Sequence, residues 1–177
     1  MSALNNFILL ATTVTVLALP PSSHAAPAGI AQATQYPVIN IKKRQNIRAV
    51  YDVKDDVQEA GIGKALYFVR GLLIAYKSMG VSPEQLHISI VMHGPTAYWL
   101  LNESAYQTHS DDPFAYNPND HIVQDLLALG VRVEICNSTM KAKGWSGNDL
   151  LPGVTIVHDA YTRLIDLQQR KYAYIRF

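Results

Sequence analysis

Cysteine is the scarcest reactive residue in this chain: Cys136 stands alone among 177 residues. An internal disulfide is therefore excluded, and the thiol is either a partner-seeking group or a buried inert one. Charge is sparse and balanced, with 15 basic and 14 acidic side chains and a formal net charge of +1. No basic surplus points to nucleic acid, and the small Lys42-Lys43-Arg44 group reads as a solvated linker. No internal repeat is present. Gly61-Ile62-Gly63-Lys64 lacks both full phosphate-loop patterns, G-x-x-x-x-G-K-[ST] and G-x-G-x-x-G. His109, Asp111, Asp112, Asp120 and His121 fall in a polar stretch without ligand spacing on a regular element, so no metal is expected there.

The N-terminal apolar run, Phe7 to Leu19, is too short for the roughly 20 residues of a membrane span. It reads as the core of a signal peptide over residues 1–25, with Ser23-His24-Ala25 supplying small residues at the two positions a signal peptidase reads. The expected location is periplasmic or secreted, with no membrane span after cleavage. Residues 26–46, rich in Ala, Pro and Gln, read as a flexible arm. The remaining stretch, 47–177, is long enough for one domain with its own core.

Within that domain, apolar patterning alternates between two periods. Strands are expected at 47–53, 86–92, 131–136, 154–157 and 172–176. Ile62, Leu66, Val69, Leu73 and Tyr76 recur at helical steps before Gly80; Pro95 opens a helix through Leu101; others are expected at 119–129, 139–143 and 160–170. The polar stretch 102–118 exceeds a minimal connection and is a candidate lid or insertion. Strands alternating with helices at this spacing imply an α/β domain with right-handed crossovers, a mostly parallel sheet and helices on both faces.

In such a sheet, ligands and chemistry gather where the strands end. Asp52, His93, Cys136 with Asn137, and His158 with Asp159 all fall on that edge. Val131, Val133 and Ile135 alternate into Cys136, and Asn137-Ser138 are helix-capping residues, so the thiol sits at a strand-to-helix junction. Backbone N–H groups and the helix dipole there favour thiolate over thiol. His93 is a candidate to exchange a proton with Cys136 or to steady a bound anion; the alternative is a strand-end histidine bonded to backbone. His158 faces the same choice, with Asp159 as a possible cap of the last helix. Lys141 and Lys143 add positive charge nearby or simply face water.

Several local features resemble one family. They are His93-Gly94-Pro95 at a strand end, Gly130-Val131 entering a strand that closes on Cys136-Asn137, Thr139-Met140, Asp149-Leu150-Leu151-Pro152, and Leu167-Gln168 followed by Tyr172-Ala173-Tyr174-Ile175. Residues 47–177 resemble the DsrE/DsrF-like sulfur-relay superfamily, in particular its exported members. The resemblance implies a three-layer α/β/α domain on a five-stranded, mainly parallel sheet, and assembly into trimers or hexamers. It also implies that Cys136 carries sulfur as a persulfide, received from a donor protein or small sulfur species and passed to an acceptor. His93 would be its polar assistant, with Asn137, His158 and Gly94 as binding positions. The competing expectation is a non-catalytic oligomeric binding module in which Cys136 is a packed core residue.

Overall fold

The computed structural model describes residues 38–177. The signal-peptide reading of 1–25 and most of the arm lie outside the described residues. Two parts of the chain cluster separately, with the division after Ile39; the account below concerns Asn40–Phe177.

Strand β1 (Ile47–Val53) is followed by a short hairpin of β2 (Gln58–Glu59) and β3 (Ile62–Gly63), and then by α1 (Lys64–Ser78). Next come β4 (Leu86–Met92), a 3-10 helix over Gly94–Leu100, α2 (Glu103–Ser110) and α3 (Asp120–Ala128). The chain ends with β5 (Arg132–Cys136), α4 (Asn137–Lys143), β6 (Thr155–Val157), α5 (Ala160–Gln169) and β7 (Ala173–Arg176). The five long strands form one sheet in the order β6-β5-β4-β1-β7. Every pairing within it is parallel. This is the expected α/β sandwich.

Alternation along the strands divides the interior into two. Ala49, Tyr51 and Val53 of β1, Ile88, Ile90 and Met92 of β4, and Val133 and Ile135 of β5 face a large core. Leu66, Val69 and Leu73 of α1, Ile122, Val123 and Leu126 of α3, and Met140 of α4 close it. The intervening residues Val50, Val91 and Cys136 face a smaller cluster with Ala160, Leu164 and Leu167 of α5 and with Tyr172. Strand pleating puts successive side chains on opposite faces, so this division follows from sequence parity.

The connections fix where a cleft must form. Chain from β1, β4 and β5 passes to the α1/α3/α4 face, whereas chain from β6 crosses the other face as α5 to reach β7 at the far edge. The loops leaving β5 and β6 thus diverge to opposite faces, which makes a topological switch point beside Cys136.

Three expectations change in detail. Ile62 belongs to the hairpin rather than to α1. Gly63 closes that hairpin because a Cβ there would collide with the buried ring of Trp99, and its N–H donates to Asn119 Oδ1 at 2.6 Å. The helix expected after Pro95 is a 3-10 helix. The stretch 102–118 is not a structureless lid: Asn102 caps α2 through Ala105 N–H, and Asn117 Nδ2 donates to the carbonyls of Trp99 and Leu101. Ala105 and Tyr106 of α2 pack on the large core, across the sheet from the cluster that holds Cys136.

Candidate functional site

Cys136 ends β5 and is the N-cap residue of α4, with φ −71° and ψ 119°. The predicted junction is therefore present. Its side chain makes no capping hydrogen bond, and α4 spans only 7 residues, so the dipole acting on the sulfur is small. Lys141 and Lys143 sit exposed in the last turn of α4, at the far end from Cys136. Of the two readings of these lysines, their exposure favours the one in which they face water. The thiol is also 3% exposed, packed into the α5-side cluster with Ala160 from the first turn of that helix.

His93 follows β4 directly. Met92 pairs with Ile135, so continuing the parallel register places His93 across from Cys136 on the neighbouring strand. Its ring is fixed from the opposite side, because Nε2 lies 2.8 Å from Asp52 Oδ1. A carboxylate only accepts, so Nε2 is the donor to Asp52, and in the neutral imidazole Nδ1 is then the nitrogen that can receive a proton. Asp52 is 6% exposed and His93 7% exposed, and Tyr174 O–H donates to the second Asp52 oxygen at 2.5 Å. The hydrogen bond to Asp52 holds the Tyr174 phenol above its ordinary range, with burial adding in the same direction. The exposed ring of Tyr161, in the first turn of α5, meets His93 edge-on with centroids 5.5 Å apart.

A hydrogen-bonded row, Tyr174–Asp52–His93, therefore runs across β7 and β1 to the end of β4, and the strand register places Cys136 on the next strand over. Asp52 and His93 were readable as strand-end residues. Tyr174 enters the sequence reading only within the family-like Tyr172-Ala173-Tyr174-Ile175 and not as a site residue, although the β1–β7 register, Val50 to Tyr174, puts it on the same face as Asp52.

The other predicted positions lie around the same edge. Gly94 turns the chain at φ +59°, a conformation suited to glycine, and its N–H donates to Thr139 Oγ1 at 3.1 Å, joining the His93 turn to α4. Asn137 opens α4 and is half-buried. Asp159 is the N-cap of α5, accepting from Tyr161 and Thr162 N–H groups, and Ser138 Oγ donates to its second oxygen at 3.4 Å. The starts of α4 and α5 thus meet over the switch point. His158 is exposed there, on the rim of a concavity that also contains Glu134 and Arg163. His109 packs against Tyr98 and Trp145. Among the described residues no group of three or more His, Cys, Asp or Glu is arranged to hold a metal ion.

The model of the DsrE/DsrF-like family matches residues 57–177. The chain belongs to the DsrE/DsrF-like family. Among solved structures, it is similar to a protein of unknown function, MTH1491, from Methanobacterium thermoautotrophicum, at 25% identity and TM-score 0.56. That likeness covers 74% of this chain and 99% of the other. It is also similar to the ychN protein from E. coli, at 17% identity and TM-score 0.47, over 74% of this chain and 100% of that one. No curated protein matches the chain. Family membership accounts for the three-layer fold. Among the described residues no helix is long and apolar enough to cross a membrane.

Proposed function

We propose that this DsrE-like protein is an exported sulfur carrier in which Cys136 holds a persulfide between a donor and an acceptor. The observation that carries the reading is the row Tyr174–Asp52–His93 ending across from Cys136 at the switch point. His93 Nδ1 takes the thiol proton, and the Cys136 thiolate attacks the terminal sulfur of a donor persulfide. A new S–S bond forms on Cys136 as the donor's S–S bond breaks, and the donor leaves as a thiolate that takes up a proton. Sulfur moves without net oxidation or reduction, and no cofactor is required. Because Cys136 is covered by the first turn of α5, the donor must displace the segment from His158 to Tyr161 as it docks. Self-association, as a trimer or hexamer, belongs to the same proposal and rests on the exposed apolar side chains beside the row.

The test is to treat the full chain with inorganic polysulfide without oxygen and weigh the intact protein. One added sulfur, absent in Cys136→Ser and removed by a reductant, is the expected result. The 3% exposure of Cys136 favours a second reading, a binding module of the same fold with a structural cysteine. No adduct, together with alkylation of the native thiol no faster than global unfolding, would establish that reading instead.

A further inference from the structure

The opposite end of the sheet carries a different kind of site. Arg48 is the second residue of β1, His87 the second of β4, Arg132 the first of β5, and Tyr172 immediately precedes β7. The first three share sequence parity with Val50, Val91 and Cys136, so they project on the α5 side, where Arg170 caps the end of α5 and Lys171 follows it. These six residues line a concavity of about 520 Å³ at the N-terminal edge of the sheet. No carboxylate lines it. Four of its six lining residues are permanent cations, in a chain whose formal net charge is +1.

The nearby acids offset only part of this charge. Glu134 lies 3.8 Å from Arg132 Nε, but both its oxygens are taken by Arg163 at 2.7 and 2.8 Å. Asp166 lies 3.5 Å from Arg170 and is shared with Arg163 at 2.9 Å. Meanwhile, the guanidinium carbons of Arg48 and Arg132 both lie close to Tyr172, at 6.0 and 5.7 Å from its ring centroid. Internal hydrogen bonds hold these two arginines in place. Arg48 donates to Asn46 Oδ1 and to the Arg170 carbonyl, and Arg132 donates to Ser89 Oγ and to Tyr172 O–H. Like charges held together in a concavity repel one another unless an anion enters, and preorganised guanidinium groups suit oxyanions.

We propose that this concavity binds a small multivalent oxyanion of the phosphate class, with Arg48, Arg132, Arg170 and Lys171 as its charge partners. A free diphosphate and the diphosphate of a nucleotide present the same chemistry. Tyr172 already carries two guanidinium groups, so recognition is by the anion rather than by stacking a base.

The probe is inorganic pyrophosphate, titrated calorimetrically into the full chain at low ionic strength, with ADP as a second arm. Saturable binding that weakens steeply with added salt is expected, with ADP binding within about threefold of pyrophosphate. Arg170→Gln and Lys171→Asn remove exposed charges; asparagine suits the left-handed backbone of Lys171, whose φ is +68°. Each should weaken binding by about tenfold. Lys143→Asn, in the last turn of α4 on the opposite face of the sheet, should leave binding unchanged. No saturation at millimolar pyrophosphate, or equal losses in Lys143→Asn and Arg170→Gln, would overturn the site. ADP binding more than tenfold tighter than pyrophosphate would overturn anion-only recognition.

Discussion

Asp52 decides which nitrogen of His93 is free. Its carboxylate accepts from His93 Nε2 on one oxygen and from Tyr174 O–H on the other, so the ring cannot flip without losing a buried hydrogen bond. Asp52→Asn removes the charge that fixes the tautomer, and sulfur uptake by Cys136 from polysulfide should fall about 10–100-fold. Tyr174→Phe should lower it less than about tenfold, since the Asp52–His93 bond survives. The separating measurement is the pH profile of Cys136 alkylation. It should change shape in Asp52→Asn, whereas an unchanged profile would make Asp52 purely structural. A second residue reports on stability. Burial pushes the Tyr51 phenol up to about 12, with Tyr76 adding to it. A raised folded-state value means the contribution is fully present below the unfolded value near 10 and is lost as pH rises through about 12. Allowing for partial solvent access, ionisation of this buried phenol in the folded state costs about 2 kcal/mol at high pH, while the neutral phenol adds nothing that phenylalanine lacks. Tyr51→Phe should therefore match the wild type at pH 8 and lose less stability than it by pH 11.5, compared by urea unfolding at the two pH values.

Between elements, the attachment of α5 to the sheet combines apolar packing with one buried ion pair. Leu164 and Leu167 fill the small cluster, and beside them Arg163 grips Glu134, which is 1% exposed, through two hydrogen bonds. That bond, ahead of the nearby charges, holds the Arg163 guanidinium above even its ordinary high range. Arg163→Met strips a buried carboxylate of both its hydrogen bonds from Arg163 and leaves it only the more distant Arg132, which should cost about 3 kcal/mol in urea denaturation. Adding Glu134→Gln should recover much of the loss; no recovery would assign the effect to packing. The same helix shows what the sequence could convey. Val131, Val133 and Ile135 alternate clearly enough to place β5, and Asn137-Ser138 marked the break after Cys136. The cover over Cys136 was illegible, because Ala160 comes from a helix on the other branch of the switch point. The pairing of Asp52 with Tyr174 spans 122 positions and depends on strand register, which no local pattern carries. The β2–β3 hairpin has strands of two residues each, too short to show a period. The 102–118 stretch looked like a lid because its polar composition concealed one capped helix and a buried Asn117.

For the whole molecule, the open question is what meets the α5 face. Tyr161 and Ile165 stand one turn apart on α5, 64% and 54% exposed, and Tyr174 on the outermost strand is 44% exposed. Together with Asp52, Lys54, Leu164, Gln168 and Arg176 they surround a concavity of about 410 Å³. The hydrogen-bonded Asp52 and Tyr174 are both part of its lining. Strand β7 pairs on one side only among the described residues, so its outer edge adds unpaired backbone groups to the apolar ones. Apolar side chains beside an open strand edge are the features a subunit contact uses, and a contact here would also control approach to His93 through Tyr161. The full chain, 19.6 kDa as a monomer, should therefore show a several-fold larger mass by light scattering. Ile165→Asp introduces a charge into the stripe and should shift the mass to that of the monomer without lowering thermal stability by more than a few degrees. If the wild type is monomeric at every concentration, the stripe is not a contact between copies. If Ile165→Asp is monomeric and its Cys136 alkylates faster than in the assembly, the subunit contact is itself part of what covers the thiol, and a sulfur donor would compete with a neighbouring copy for the same face.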